Sequence, residues 1–142
     1  MPQLTLSIAK SIIAKAFEAA AEGKLKPLAI AVLDAGGHVI AYERQDGAPV
    51  GRFEIARNKA YACLMMGEGG AALESMDRRA PTFTASLAAV YDGKFLASIG
   101  GVLIRGQEGR ILGAIGVTGD TSEKDAEVGV IGIRAQGLTA EA

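Results

Sequence analysis

Residues 99–120 read IGGVLIRGQEGRILGAIGVTGD, and the architecture turns on them. The stretch is apolar and β-prone, yet seven of its residues are glycine: Gly100, Gly101, Gly106, Gly109, Gly113, Gly116 and Gly119. GQEG separates VLIR from RILGAIGVTGD, so the pattern predicts two antiparallel strands joined by a turn. Glycine inside a strand weakens it and gives it no side chain to pack. Its abundance here implies that something else, a backbone or a ligand, comes close. Gly113, Gly116 and Gly119 recur every third residue and so cannot all face one side of a strand. They are expected to admit a helix or a neighbouring subunit. Gly100 and Gly101, ahead of the first strand, are expected to border a pocket where bare N–H groups meet an anion. On that expectation Gly101→Val abolishes binding and leaves assembly intact.

Working outward, residues 5–22 place Ile8, Ala9, Ile12, Ile13, Ala16, Phe17 and Ala20 at helical spacing, with Thr5 or Ser7 as cap and Gly23 at the end. LAIAVLD, residues 28–34, is too short for a helix and predicts a buried strand. HVIAYERQ alternates after it, and Asp34-Ala35-Gly36-Gly37 between the two runs signals a hairpin. DGAP, residues 46–49, ends the second strand, and residues 51–66 predict a second helix. Residues 67–98 predict one or two short helices with loops. SEKDAEVGVIGIRAQGL predicts a third long helix, capped by Thr121 or Ser122, with Glu123 and Asp125 in the first turn where the dipole favours acids. Its Gly129 and Gly132 again imply close approach of another backbone. The order helix, hairpin, helix, irregular segment, hairpin, helix predicts an α+β fold in which helices pack on an antiparallel sheet.

The 142 residues suit a single domain spanning 1–142. Fifteen Lys and Arg balance sixteen Asp and Glu, which leaves no electrostatic footprint for nucleic acid or an anionic membrane surface. A single cysteine, Cys63, excludes an internal disulfide and a cysteine-rich zinc site. With no secretion-type leader or membrane-length apolar run, a cytoplasmic location is expected. Aromatics are 5% of the chain, so its core is built of small side chains that bury little area each, and a homo-oligomer is expected.

No phosphate-cradling GxxxxGK[ST] occurs, and GEGGAA at 67–72 lacks both the spacing and the preceding strand of a dinucleotide site. His38 is the only histidine, so paired-histidine metal chemistry is excluded and no metal ligand is assigned.

Three blocks then stand in fixed order: VLDAGGHVIAYERQDGAP, EIARNKAYA, and IGGVLIR followed by GRILGAIGVTGDTSEKDAEVGVIGI. Together, over roughly residues 4–136, they resemble the GlcG/HbpS family, also called the haem-degrading or DUF336 family, which includes the C-terminal domain of PduO-type proteins. The resemblance implies a profilin-like α/β/α fold with a five-stranded antiparallel sheet, assembled as dimers up to octamers. It also implies haem or a corrinoid-like tetrapyrrole as the ligand of some members. Gln45 stands where the family commonly has Met, Cys63 where it has Thr, and Ile99 where Pro often precedes the two glycines. The histidines that ligate haem in some relatives lie in or near the first helix, where this chain has none.

Candidate residues follow. His38 begins a strand after the double glycine and is either a hairpin residue or a haem ligand or acid–base group. Glu54 and Lys59 lie about 140° apart around the second helix. Lys59 and Asp125 match the family's lysine and first-turn acid, either as an ion pair between helices or as groups holding a substrate carboxylate. Arg44 and Asp46 bracket Gln45 at a strand end, where polar groups can converge on a ligand. Cys63, Met65 and Met66 are expected in the core or at subunit contacts, and Thr82, Thr84 and Tyr91 are the polar candidates of the segment hardest to read.

The leading expectation is a small-ligand-binding domain whose pocket lies between the second helix and Gly100-Gly101, near a subunit boundary. The scarcity of histidine favours a small organic acid over a tetrapyrrole. One alternative is a cofactor-independent lyase, decarboxylase or isomerase in which His38, Glu54 or Lys59 transfers a proton. The other is an accessory subunit without a ligand.

Overall fold

The computed structural model describes residues 3–142. Helix α1 (Leu6–Glu22) is followed by strands β1 (Ala29–Asp34) and β2 (Val39–Arg44), then by helices α2 (Arg52–Met66), α3 (Gly70–Arg79) and α4 (Pro81–Val90). Strands β3 (Gly101–Arg105) and β4 (Ile111–Thr118), helix α5 (Ser122–Arg134) and strand β5 (Thr139–Glu141) complete the chain. The strands form one antiparallel sheet in the order β2-β1-β4-β3-β5.

Local chemistry sets most boundaries. The Thr5 hydroxyl accepts from Ile8 N at 3.2 Å and starts α1. At the other end Lys24, not Gly23, takes the left-handed conformation, with φ 54°. The Asp34 carboxylate accepts from the N–H groups of Gly36 and His38 and closes the β1–β2 hairpin, while Gly37 supplies φ 86°. Thr121 caps α5 through Lys124 N. The third long helix is shorter than its sequence pattern predicts: α5 ends at Arg134, and Gly137 with φ 74° reverses the chain. The residues beyond become β5, which pairs with β3 through Leu103↔Glu141.

Two apolar layers flank the sheet. On one face α1 and α5 cover Ile30, Val32, Val102, Ile104, Ile115 and Val117. On the other, α2, α3 and α4 cover Leu33, Leu103 and Ala114, with Cys63 and Leu73 in the same cluster. The second face explains the glycines. Register places Tyr42, Ala31, Gly116 and Gly101 side by side across β2, β1, β4 and β3. Three of those four residues have almost no side chain, so the sheet carries a trough in which α2 lies with Ala56, Ala60 and Cys63 facing down. A Cβ on Gly116 would run into the backbone carbonyl of Ala56. One on Gly101 would come within 2.6 Å of the Lys59 carbonyl oxygen and 2.7 Å of Cys63 Sγ. The expectation that Gly100 and Gly101 open a pocket beside α2 is therefore corrected: the helix itself fills that space. Gly132 plays the same part on the other face, against the backbone of Ile12.

Candidate functional site

The residues singled out from sequence fall at the two ends of the sheet, not in one place. At the end formed by the last residues of β4, Lys59 leaves α2 on one face and reaches α5 on the other. Its Nζ donates to the Val117 carbonyl at 3.1 Å and stands 3.8 Å from Asp125 Oδ2. Gly100, at φ 113°, leaves room for this crossing, since a Cβ there would lie 2.7 Å from the ammonium. Asp125 is held in turn by the backbone N–H groups of Gly119 at 3.2 Å and Asp120 at 3.0 Å. Lys59 is 4% exposed and Asp125 1%. Burial pushes the Lys59 pKa down against the pull of Asp125, and pushes the Asp125 pKa up against its backbone donors and Lys59. Of the two roles weighed for the pair, the geometry is that of an ion pair tying α2 to α5 through the sheet. Both charges lie almost wholly beneath the surface of the chain.

Around this pair Arg52 Nη1 donates to Thr118 Oγ1 at 2.9 Å. Glu54, in the first turn of α2, is exposed and makes no ion pair among the described residues. Arg44 and Asp46 are exposed on the rim of a shallow groove of about 590 Å³ floored by Phe17, Leu25 and Pro27. Gln45 between them is structural: its Oε1 accepts from Leu28 N, and its own N–H donates to the Leu28 carbonyl. Cys63 is wholly buried, and that burial pushes its thiol up to about 12, so no thiolate forms at neutral pH. Thr84 is also buried, bonded to Asp77 and to the carbonyls of Ala80 and Pro81. Tyr91 stacks on Phe95.

His38 lies at the opposite end. Along the sheet His38 is level with Asp34 and Gly113, whereas the Lys59 ammonium is at Val117, four residues and about 13 Å farther along β4. The His38 side chain is 83% exposed, with Nδ1 3.4 Å from Asp34 Oδ1. It stands on a hollow of about 340 Å³ whose walls include Leu4, Gly36, Ile111 and Leu112. Arg110 also lines that hollow, and among the described residues it makes no ion pair. The sequence pattern did not single out Arg110, because it reads as one more charge in the GQEGR turn. Only the pairing of β1 with β4, Asp34 opposite Gly113, brings that turn beside the β1–β2 hairpin. The acid–base trio His38, Glu54 and Lys59 is thus not assembled within one chain.

Comparison with known proteins agrees with this architecture. A 15.0 kDa uncharacterized protein in the dhaT-dhaS intergenic region of Citrobacter freundii is 32% identical over 122 residues, covering 86% of this chain and 84% of that one. The crystal structure of a PduOC–haem complex superposes with a TM-score of 0.86 at 20% identity, covering 99% of this chain and all of that one. At that identity the likeness is one of fold. HbpS itself superposes with a TM-score of 0.81 at 26% identity, covering 95% of this chain and 91% of that one. A family model described as haem degrading protein HbpS-like matches residues 4–134. Matched over nearly its whole length in sequence and in fold, the chain belongs to the HbpS-like family.

Proposed function

We propose that the chain is a small-ligand-binding domain that takes a small organic acid in the hollow beneath the β1–β2 turn, and that it works as a homo-oligomer. One observation carries the ligand reading: Arg110 and His38 line the same hollow, beside Leu4, Ile111 and Leu112. A guanidinium offers paired donors in the planar spacing of a carboxylate. Leu4, Ile111 and Leu112 supply the apolar contacts a small organic acid needs beside its charge. Asp34, the one acid there, already accepts from two backbone N–H groups and faces His38.

The PduOC relative binds haem, so haem is the ligand to weigh against this reading. The hollow offers one imidazole at its rim and about 340 Å³, the low end of the roughly 300–1,000 Å³ typical of ligand sites. A macrocycle there would leave most of its faces in water. The residues fit a compact carboxylate and do not fit a buried haem. Proton-transfer catalysis is the weaker alternative, because its three candidate groups stand apart. Homo-oligomerisation is supported by the small-residue core and by large apolar side chains left exposed, among them Leu6, Val50, Phe83, Val90 and Ile131.

Thermal unfolding in the presence of a panel of simple and 2-hydroxy carboxylates tests the proposal. One of them is expected to raise stability by about 2.7 kcal/mol at a hundred times its Kd, with the rise lost in Arg110→Ala and reduced in His38→Ala. A rise that persists in Arg110→Ala, or none with any carboxylate, overturns the site. A sharpened haem absorption band that needs His38 overturns the choice of ligand.

A further inference from the structure

The outward stripe of α5 carries a pattern that the fold leaves unused. Its inner residues, among them Val128, Gly129, Gly132 and Ile133, are buried against the sheet and α1. Outward stand Glu127, the half-buried Val130, Ile131 at 43% exposure, and Arg134. Beside them lies an apolar hollow of about 480 Å³ lined in part by Ile99, Ala126, Val130 and Ile131. Glu127 and Arg134 are two turns apart, about 10 Å along the axis, too far to pair with each other. Among the described residues neither forms an ion pair.

The spacing is symmetric. The midpoint between Val130 and Ile131 lies 3.5 residues, about 5 Å along the helix, from both Glu127 and Arg134. We propose that α5 docks on α5 of a second copy of this chain, antiparallel, about a two-fold axis through that midpoint. Each Glu127 then faces the partner's Arg134, and Val130 lies on the partner's Ile131. That isoleucine seats in the hollow beside Ile99. A parallel pairing in register would set glutamate on glutamate and arginine on arginine, so the charges select the antiparallel arrangement. Exposed ion pairs of this kind fix register more than they add affinity, and the apolar centre supplies the burial. The apolar stripe Phe83–Val90 on α4 has no such charge pattern to say what covers it.

The inference rests on the self-association proposed above, and the two fail differently. Sedimentation equilibrium of the full chain reads both. Glu127→Arg and Arg134→Glu each set like charges across the axis, and each is expected to weaken the two-fold association at least tenfold at low salt. The decisive sample is their equimolar mixture. A chain with arginine at both positions meets a chain with glutamate at both, so the pairing and the wild-type mass are expected to return. Ile131→Asp is expected to dissociate the pair in every mixture. A wild type that stays monomeric overturns self-association altogether. An oligomeric wild type whose variants keep its mass, or a mixture no tighter than its separate components, overturns this surface alone.

Discussion

Gly116→Ala is expected to lower stability by about 3 kcal/mol or more, at or above the top of the range for overpacking a core, and Gly116→Val to leave no cooperative unfolding transition. The added methyl would meet the carbonyl of Ala56, part of a helix backbone, where no side-chain tip can swing away. To accept it, α2 must lift off the trough that Ala31, Gly116 and Gly101 make, and the contacts of Ala60 and Cys63 lift with it. A loss of that size shows as a fall of roughly 6–12 °C in Tm. Gly101→Val is expected to follow Gly116→Val, since its side chain would strike Lys59 O and Cys63 Sγ. The control is Gly51→Ala, at φ −80° with nothing within 4 Å, which is expected to be neutral or slightly stabilising. If Gly116→Ala unfolds within about 1 kcal/mol of the wild type, the trough is not what holds α2.

Asp125→Ala is expected to cost about 3–5 kcal/mol, the range for removing one partner of a buried ion pair. It strands the Lys59 ammonium in the interior with only the Val117 carbonyl, and leaves the N–H groups of Gly119 and Asp120 without their acceptor. Burial pushes both pKa values toward the neutral forms, so the ammonium left behind is a buried charge without its partner. Adding Lys59→Met to Asp125→Ala is therefore expected to recover part of the stability, with a coupling of about 0.5–3 kcal/mol measured by urea unfolding of the four proteins. Additive losses would mean that the two side chains do not act as a pair.

How much of this was legible depended on whether a feature is local. The amphipathic α1, the glycine hairpin at 34–37 and the Thr121 cap are set by residues a few positions apart, and the sequence pattern names them. The end of α5 was overrun because apolar spacing continues through Leu138, whereas the break depends on one left-handed glycine and on pairing with β3, far away in sequence. The glycines of 99–120 correctly signalled a close approach, but glycine is equally compatible with a ligand and with a helix. Only the cross-strand row Tyr42–Ala31–Gly116–Gly101 decides for the helix. Lys59 and Asp125 were recognisable as a pair from family resemblance, while their burial was not. Arg110 could not be found without the strand order.

The functional geography follows from these placements. The charged pair near the finish of β4 is buried between α2 and α5, while the groups proposed to meet a ligand stand toward its start. Amide chemical shifts of the wild-type chain, recorded while a carboxylate that stabilises it is titrated in, distinguish the two ends in one experiment. Shifts concentrated at residues 34–38 and 110–112, with those of 59, 100 and 101 unmoved, are the predicted result. Shifts centred on 59, 100, 101 and 125 would contradict it and return the binding site to the buried pair.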